Sequence, residues 1–470
     1  MQNSKMKSMK NGFVKILGLI IIVLFVGGGV FLLSSDSFER EAPSIAIKDG
    51  AIWNFKEPLS FAISDNFGVK SYRVAQVENG QKIPLETRLN AQNFTHSDEK
   101  FATTLAIGVE RLAHIDNDVK SIVLEVEATA TSWWNFFSGN TTTQQFNLTI
   151  DVQSPKLAVV ANSYKITQGG SALVVFHALD EHLEDITLTN GNLEFKAQPF
   201  YKEGFYIALI AWSKIHDDFN ARIIAKDKAG NMSVVPIDYF QQKKRYKDST
   251  IPLTDAFVDG KISMLVEEIG EKSLEEFANK VDIFRYINED VRQQSFDRIF
   301  NVASALDAKM AVESFPISPF DPLKNAAVTA SFGDHRTFTY QGKYVSESNH
   351  LGLDLASIKQ APVILSNPGV VILNDFVGID GNVIVVYHGL GLSTLYAHLT
   401  TSNVNVGDML DKGSVIAKTG DTGLALGDHL HFGVLVQGYE VWNAEWMDSN
   451  WIKLNITNVI AEAKAIINQI

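Results

Sequence analysis

The 470-residue sequence predicts a multidomain, mainly β protein. Its parts are an N-terminal transmembrane helix, two immunoglobulin-like β-sandwich units, a short helical segment and a C-terminal domain built on an antiparallel sheet. Three observations carry that reading. An uncharged apolar run occupies residues 16–33. Short alternating strands, punctuated by Gly, Asn and Asp turns, fill most of residues 43–240. Helical spacing takes over near residue 273 and yields again to closely spaced strands beyond residue 327.

Composition sets the outer limits. A hydrophobic content of 46% is enough for real cores, and the length suits roughly three domains of about 150 residues. The net charge of −13 argues against nucleic acid as a partner, because phosphate binding needs a basic surface. The absence of cysteine removes disulfides, a thiol nucleophile, zinc-ribbon sites and a lipid-modified N-terminal cysteine.

Residues 1–36 are expected to be a cytoplasmic tail and transmembrane anchor: Lys5, Lys7, Lys10 and Lys15 precede the apolar run, and Asp36, then Glu39 and Glu41 beyond the segment, follow it. A run over 16–33 spans roughly 27 Å as a helix, just enough for a bilayer's hydrocarbon core. The lysines place the start in the cytoplasm and the bulk of the chain outside. A cleaved signal peptide is the alternative, although no small-x-small site closes the run.

Residues 43–152 read as the first β unit. Leu59-Ser-Phe-Ala-Ile-Ser alternates, Asp65-Asn-Phe-Gly68 and Glu78-Asn-Gly80 supply turns, and Ser121-Ile-Val-Leu-Glu-Val-Glu-Ala is a further strand. Trp133-Trp-Asn-Phe-Phe137 is expected to fill a core, with an exposed surface for glycan or membrane as the other reading. A second unit over 153–240 contains Ala172-Leu-Val-Val-Phe-His-Ala178 and the turn after Asp227. Both units are expected to be a stalk or shield, with a solvated basic linker at 241–247.

Residues 250–312 form the helical segment. Ser273 with Glu276 reads as a capping box opening a helix over 273–287, and a second helix is expected over 288–303. Scaffold is the expected role, and packing over a groove the alternative. Residues 313–454 form the last domain, its strands separated by the glycines that tight turns require. An amphipathic helix over 455–470 closes the chain.

The chemistry concentrates in residues 346–436. Six of the eleven histidines lie from His335 to His431, and three patterns stand in order: His350-Leu-Gly-Leu-Asp354, Tyr396-Ala-His398 and His429-Leu-His431. In a strand, residues i and i+2 share a face, so His429 and His431 are expected to point one way. His350 and Asp354 share a face in a strand or a helix. Two imidazoles and a carboxylate suit zinc, and the surplus histidines are candidate proton carriers. On alternation, His398 is expected to share a strand face with Tyr396 and Thr394. His335 and His388 read as ordinary strand-end or surface histidines, and Trp442, Trp446 and Trp451 either line the groove or bury against the sheet.

At these residues the sequence resembles the lysostaphin/LytM-type zinc peptidases, which cut peptide cross-links of bacterial peptidoglycan. The resemblance runs over about 328–452 and includes Gly378-Ile-Asp-Gly-Asn382 and Gly420-Asp-Thr-Gly423. It implies one zinc ion per chain held by His350, Asp354 and His431, with His398 and His429 as the catalytic histidines. One of these two would take the water's proton and the other would hydrogen-bond the oxyanion. The implied partners are peptidoglycan stem peptides and the cytoplasmic membrane, with the catalytic domain in the periplasm or outside the cell. Two other classes remain: a non-catalytic regulator that activates a wall amidase, whose kind loses metal ligands, and a peptidase acting on proteins.

Overall fold

The computed structural model describes residues 2–35, 38–47, 50–89, 95–97, 100–107, 112, 119–305, 307 and 309–470; Asp36 lies outside them. The chain divides into two compact units, one of residues 1–153 with 228–231 and one of 154–227 with 232–470.

The first unit begins with the helix Gln2–Ser34, of which Phe13–Phe31 is long and apolar enough to cross a membrane by length and composition. A four-stranded and a five-stranded sheet follow. Their inward residues, Phe61 and Ile63 from one and Val74, Leu124 and Val126 from the other, interleave in one core, as period-two alternation dictates. The expected turns form where the chemistry asks for them. Asp65 Oδ1 accepts from the backbone N–H of Phe67 and Gly68 at 2.9 and 2.7 Å, and Asn79 and Gly80 take left-handed φ of 49° and 77°, which a two-residue hairpin needs. The aromatic stretch at 133–137 does not fill this core: Trp133, Trp134, Phe136 and Phe137 are all exposed, because they sit on the connection between Ser121–Ala130 and Thr141–Ile150 rather than on a strand.

In the second unit the strands over 156–242 are not a free stalk. Their buried residues, among them Leu173, Val175, Ile207 and Leu209, join Phe320, Ile384, Tyr396, Phe432 and Trp446 in one hydrophobic core. Gln437 Nε2 donates to the Lys196 carbonyl at 2.9 Å and Trp446 Nε1 to Ser171 Oγ at 2.9 Å. Burial is therefore the fate of Trp446, with Trp451 packed against it at 5.1 Å between rings.

The principal sheet has eight strands: β1 Ala327–Ala330, β2 Leu353–Ala356, β3 Gly369–Val377, β4 Gly381–Gly389, β5 Leu392–Ala397, β6 Met409–Leu410, β7 Leu430–Val436 and β8 Tyr439–Val441. They lie in the order β1-β2-β7-β5-β4-β3-β6, with β8 paired to β7. Every pairing is antiparallel. A small sheet stands beside it, in which Asp248–Leu253 runs parallel to Asp334–Tyr340, itself antiparallel to Lys343–His350. Part of the expected linker is strand as well, since Phe240–Gln242 pairs with Lys165–Thr167.

The helical segment differs from expectation. The capping box at Ser273 and Glu276 forms, but it closes only the short turn Leu274–Glu276. Helix resumes at Lys280, capped by Asn279 Oδ1 on the N–H of Val281 and Asp282. It then runs unbroken to Ala303 through a wider π turn at Tyr286–Val291. The final helix likewise starts early, with Ser449–Ile452 continuing through Lys453–Thr457 into Asn458–Ile467.

Candidate metal centre and its groove

The register of the sheet brings the predicted residues together. β2 and β7 pair so that Asp354 stands opposite His431, and β5 places Ala397 on the other side of His431. His350 ends its strand in the small sheet, and the chain turns through Leu351 and Gly352 before β2 begins. The four-residue spacing is thus not one face of a single strand or helix. A turn between two sheets folds His350 back onto Asp354.

The three side chains meet at their ligand atoms. Asp354 Oδ1 lies 3.0 Å from His350 Nε2 and 2.9 Å from His431 Nδ1, and the two nitrogens are 3.1 Å apart. A tetrahedral zinc with bonds of about 2.0–2.1 Å would need ligand atoms roughly 3.3 Å apart. The donor set therefore fits the ion in both chemistry and spacing. Gly352 makes room for it: a Cβ at this position would stand inside van der Waals contact of His431 Nε2 and Cε1.

The other two histidines face the same point. His429 Nε2 is 3.7 Å from Asp354 Oδ1, and the His398 ring lies 4.8 Å from that of His429 and 5.8 Å from that of His431. His398 is not on the strand. β5 stops at Ala397 and His398 takes a left-handed φ of 61°. Continued alternation would have put it on the face of Tyr396, which is fully buried in the core. The turn swings it into the groove instead. Two glycine-rich loops hold it there. Its N–H donates to the Asp380 carbonyl at 2.9 Å and its Nδ1 to the Thr422 carbonyl at 2.9 Å, and the loops join through Asn382 N–H to Thr422 Oγ1 at 3.0 Å.

Hydrogen bonds set the tautomers. His350, His398 and His429 each direct Nδ1 to a backbone carbonyl, those of Ser331, Thr422 and Gly427, at 3.0, 2.9 and 2.7 Å. Each Nε2 lone pair is then left for the groove. Burial lowers the His350 pKa, opposed in part by the Asp354 hydrogen bond. Burial, reinforced by the charges of His431 and His429, holds His398 well below the usual histidine range. Burial pushes Asp354 up, but the His350 and His431 rings, which donate to it when they carry the extra proton, outweigh burial, and the carboxyl stays far below the carboxylate range. For His431 burial again works downward and is overcome by Asp354, so its pKa is raised. A buried carboxylate facing three imidazoles suits a cation.

The groove holds residues that spacing arguments passed over. A cavity of about 590 Å³ contains the five predicted residues together with Lys247, Arg292, Asp334, Arg336 and Asp380. A second, of about 300 Å³, is lined by Arg292, Phe296 and Ile299 of the helix, by Ile215, and by His350, His431 and Glu440. The helix is therefore a wall of the groove rather than scaffold alone. Arg292 is anchored by Asn288, whose carbonyl and Oδ1 accept at 3.1 and 2.9 Å; burial lowers its pKa to about 10, which leaves it charged at neutral pH. Burial pushes the Asp380 carboxyl up against the opposing charges of His431 and Arg292. From the second β unit, Lys214 reaches Asn349, so that unit too contributes to the site's surroundings. Asp380 stands in the quoted Gly378-Ile-Asp-Gly-Asn382 pattern and was findable there. Nothing local marks Arg292.

His388 and His335 stay outside this cluster. His388 is satisfied by the Pro368 carbonyl at 2.7 Å and Thr394 Oγ1 at 2.8 Å, and burial lowers it to about 4. His335 lies 3.4 Å from Asp248 and 3.6 Å from Glu347 on the small sheet.

Residues 348–443 match peptidase family M23, a span that holds all five clustered residues. The chain is 30% identical over 154 residues to peptidoglycan DD-endopeptidase ShyA of Vibrio cholerae, covering 33% of this chain and 30% of that protein. It is 36% identical over 92 residues to the DD-carboxypeptidase/endopeptidase Mpg of Neisseria meningitidis, covering 20% and 21%. Among solved structures, the catalytic domain of lysostaphin from Staphylococcus simulans is 25% identical, with 27% of this chain and 94% of that one covered and a TM-score of 0.23. The chain spans about a third or less of the length of the curated relatives it matches. The resemblance to lysostaphin/LytM-type peptidases read from the motifs is supported by the family match and by the two curated relatives.

Proposed function

We propose, on the premise of that M23 peptidase domain, that the protein is a zinc-dependent endopeptidase hydrolysing peptide cross-links of bacterial peptidoglycan, anchored in the cytoplasmic membrane by its N-terminal helix. One observation carries the reading: Asp354 Oδ1 lies within 3.0 Å of ring nitrogens of both His350 and His431, with His398 and His429 beside them. The names of the relatives support peptidoglycan as the substrate.

His350, Asp354 and His431 would hold the ion. Zinc supplies Lewis acidity that polarises a scissile carbonyl and makes water nucleophilic near neutral pH. The protein's own residues do the rest. His398 and His429, with Nδ1 committed to carbonyls, present Nε2 as proton acceptors. The ring that takes the proton becomes a donor and can deliver it to the leaving amine. Once protonated at Nε2, that ring can also hydrogen-bond the developing oxyanion before it gives the proton up. The helix wall and the β7–β8 strands line one side of the groove.

The alternative is a regulator that binds wall material without cutting it. All five side chains are present and converge, which favours the enzyme. The test is digestion of purified peptidoglycan by the detergent-solubilised chain, with and without a chelator and beside His431→Ala. Chelator-sensitive loss of cross-linked dimers, absent in the variant, is expected. No release with zinc demonstrably bound would sink the endopeptidase in favour of the regulator, and cleavage of an unrelated protein instead would redirect the substrate.

A further inference from the structure

The exposed aromatic connection in the first unit has no part in that chemistry, and its construction points elsewhere. Phe136 is 96% exposed, Phe137 65% and Trp133 47%. Asn135, Phe136 and Phe137 hold φ of 54°, 56° and 66°, left-handed backbone that side chains with a Cβ adopt only at a cost. The tight turn is closed by Phe137 N–H to the Trp133 carbonyl and Gly139 N–H to the Trp134 carbonyl, both 3.1 Å. Gly139, at φ 84°, packs so closely on the Ala130 carbonyl that no Cβ fits. A chain that bends this hard to turn large rings outward is building a surface.

What that surface adjoins is set by hydrogen bonds at its base. Ser132 Oγ donates to the Glu39 carbonyl at 2.5 Å, and Asn140 Nδ2 donates to the carbonyls of Glu39 and Glu41, each at 3.0 Å. The connection is thus tied to the chain as it leaves the apolar helix. Rings continue the link: Phe31 near the helix end lies 6.1 Å from Phe38, Phe38 5.8 Å from Trp133, and Trp133 5.9 Å from Phe137. Cations accompany them. The Arg40 guanidinium stands 4.4 Å over the Trp134 ring, and Lys70 Nζ donates to the Phe137 carbonyl at 3.3 Å. Of the acidic groups here, Glu39 turns its carboxylate back onto the Glu41 N–H, with the Glu41 and Asp65 carboxylates nearby.

We propose that residues 133–137 are an interfacial anchor, seated at headgroup level in the same bilayer that Phe13–Phe31 crosses. Trp and Phe rings beside long cationic side chains at the end of an apolar span suit a membrane–water interface, where aromatic rings sit at headgroup level and Lys and Arg stems snorkel. The occupant is therefore lipid, reached by continuity with the helix, rather than glycan. The anchor would fix how the first unit stands on the membrane; it rests on the proposed membrane span and is independent of whether the histidine site cuts peptidoglycan.

The chain has no cysteine, so a single thiol can carry a polarity-sensitive fluorophore. Phe136→Cys probes the tip directly, and Asn135→Cys does so with all four aromatics kept. Gln81→Cys is the control, at the far end of the ten-residue strand Val69–Glu78, roughly 30 Å away. The full chain is reconstituted in vesicles of phosphatidylcholine and phosphatidylglycerol. Fluorophores at 135 and 136 should be quenched several-fold more by headgroup-level lipid nitroxides than the one at 81, and less by aqueous iodide. Equal quenching at the three positions overturns the proposal. So does protection at 135 and 136 that arises only when purified glycan strands are added, or a chain that alkaline carbonate strips from the vesicles.

Discussion

Replacing Gly352 with alanine tests the site through a single methyl group. Neither Gly352 nor Gly427 has a left-handed φ, so alanine suits the backbone at both and only the space differs. At Gly352 the new Cβ would overlap Nε2 and Cε1 of His431 and approach Cδ2 to 3.1 Å. Restoring ordinary carbon contact of about 3.5–4.0 Å requires the ring to move by roughly 1 Å. A zinc ligand tolerates about 0.2 Å. The displacement therefore removes His431 Nδ1 from its place beside Asp354, and zinc affinity should fall by about 100-fold or more, ~2.7 kcal/mol. Gly427→Ala meets nothing within 4 Å and should behave as the parent. The assay is zinc affinity by chelator competition, beside peptidoglycan release and a thermal melt to confirm folding. A folded Gly352→Ala protein with parental zinc affinity and activity would refute the claim that β2 and β7 press His431 against this glycine to aim it.

Other outcomes follow from the same geometry. His398→Ala and His429→Ala should each lower turnover by about 10²–10⁴-fold while zinc content, measured by metal analysis, stays at one per chain. Arg292→Gln, which removes the half-buried cation between the two cavities, should lower kcat/KM about tenfold with zinc retained; unchanged kinetics would make Arg292 a purely structural part of the helix. Glu445 supplies a pH dependence. Burial raises its pKa from 4.5 to about 8, despite the Ser171 N–H at 2.9 Å. The folded state therefore binds the extra proton. Its contribution is full below about 4.5 and is lost as pH rises through about 8. Glu445→Gln should gain stability relative to the parent across that window, read from denaturant midpoints at several pH values, and a parallel pair of curves would contradict the shift.

Much of the site was legible because its signals are local. His429-Leu-His431 flanks and enters a strand, and both imidazoles do reach Asp354. The strands, the glycine turns and the apolar helix follow from period and composition, which any short window contains. The misreadings share a cause. Phe136 and Phe137 are apolar, so they were expected inside, but a left-handed connection places them outside. Apolar spacing alone divides the helix near residue 288, where a π turn carries it on, because a π turn preserves apolar content while shifting its phase.

The sequence by itself determined which side chains the candidate site gathers: a carboxylate, four imidazoles and the turns around them, since side-chain chemistry and strand period need no partner. Only the tertiary structure decided how they meet. His350 reaches Asp354 across a turn between two sheets, His398 arrives through a left-handed turn held by the Asp380 and Thr422 carbonyls, and Arg292 enters from a helix that sequence spacing places far away. Those placements depend on sheet register and on packing across residues far apart in the chain. No local window encodes either, because the energy that fixes them exists only once the distant surfaces are in contact.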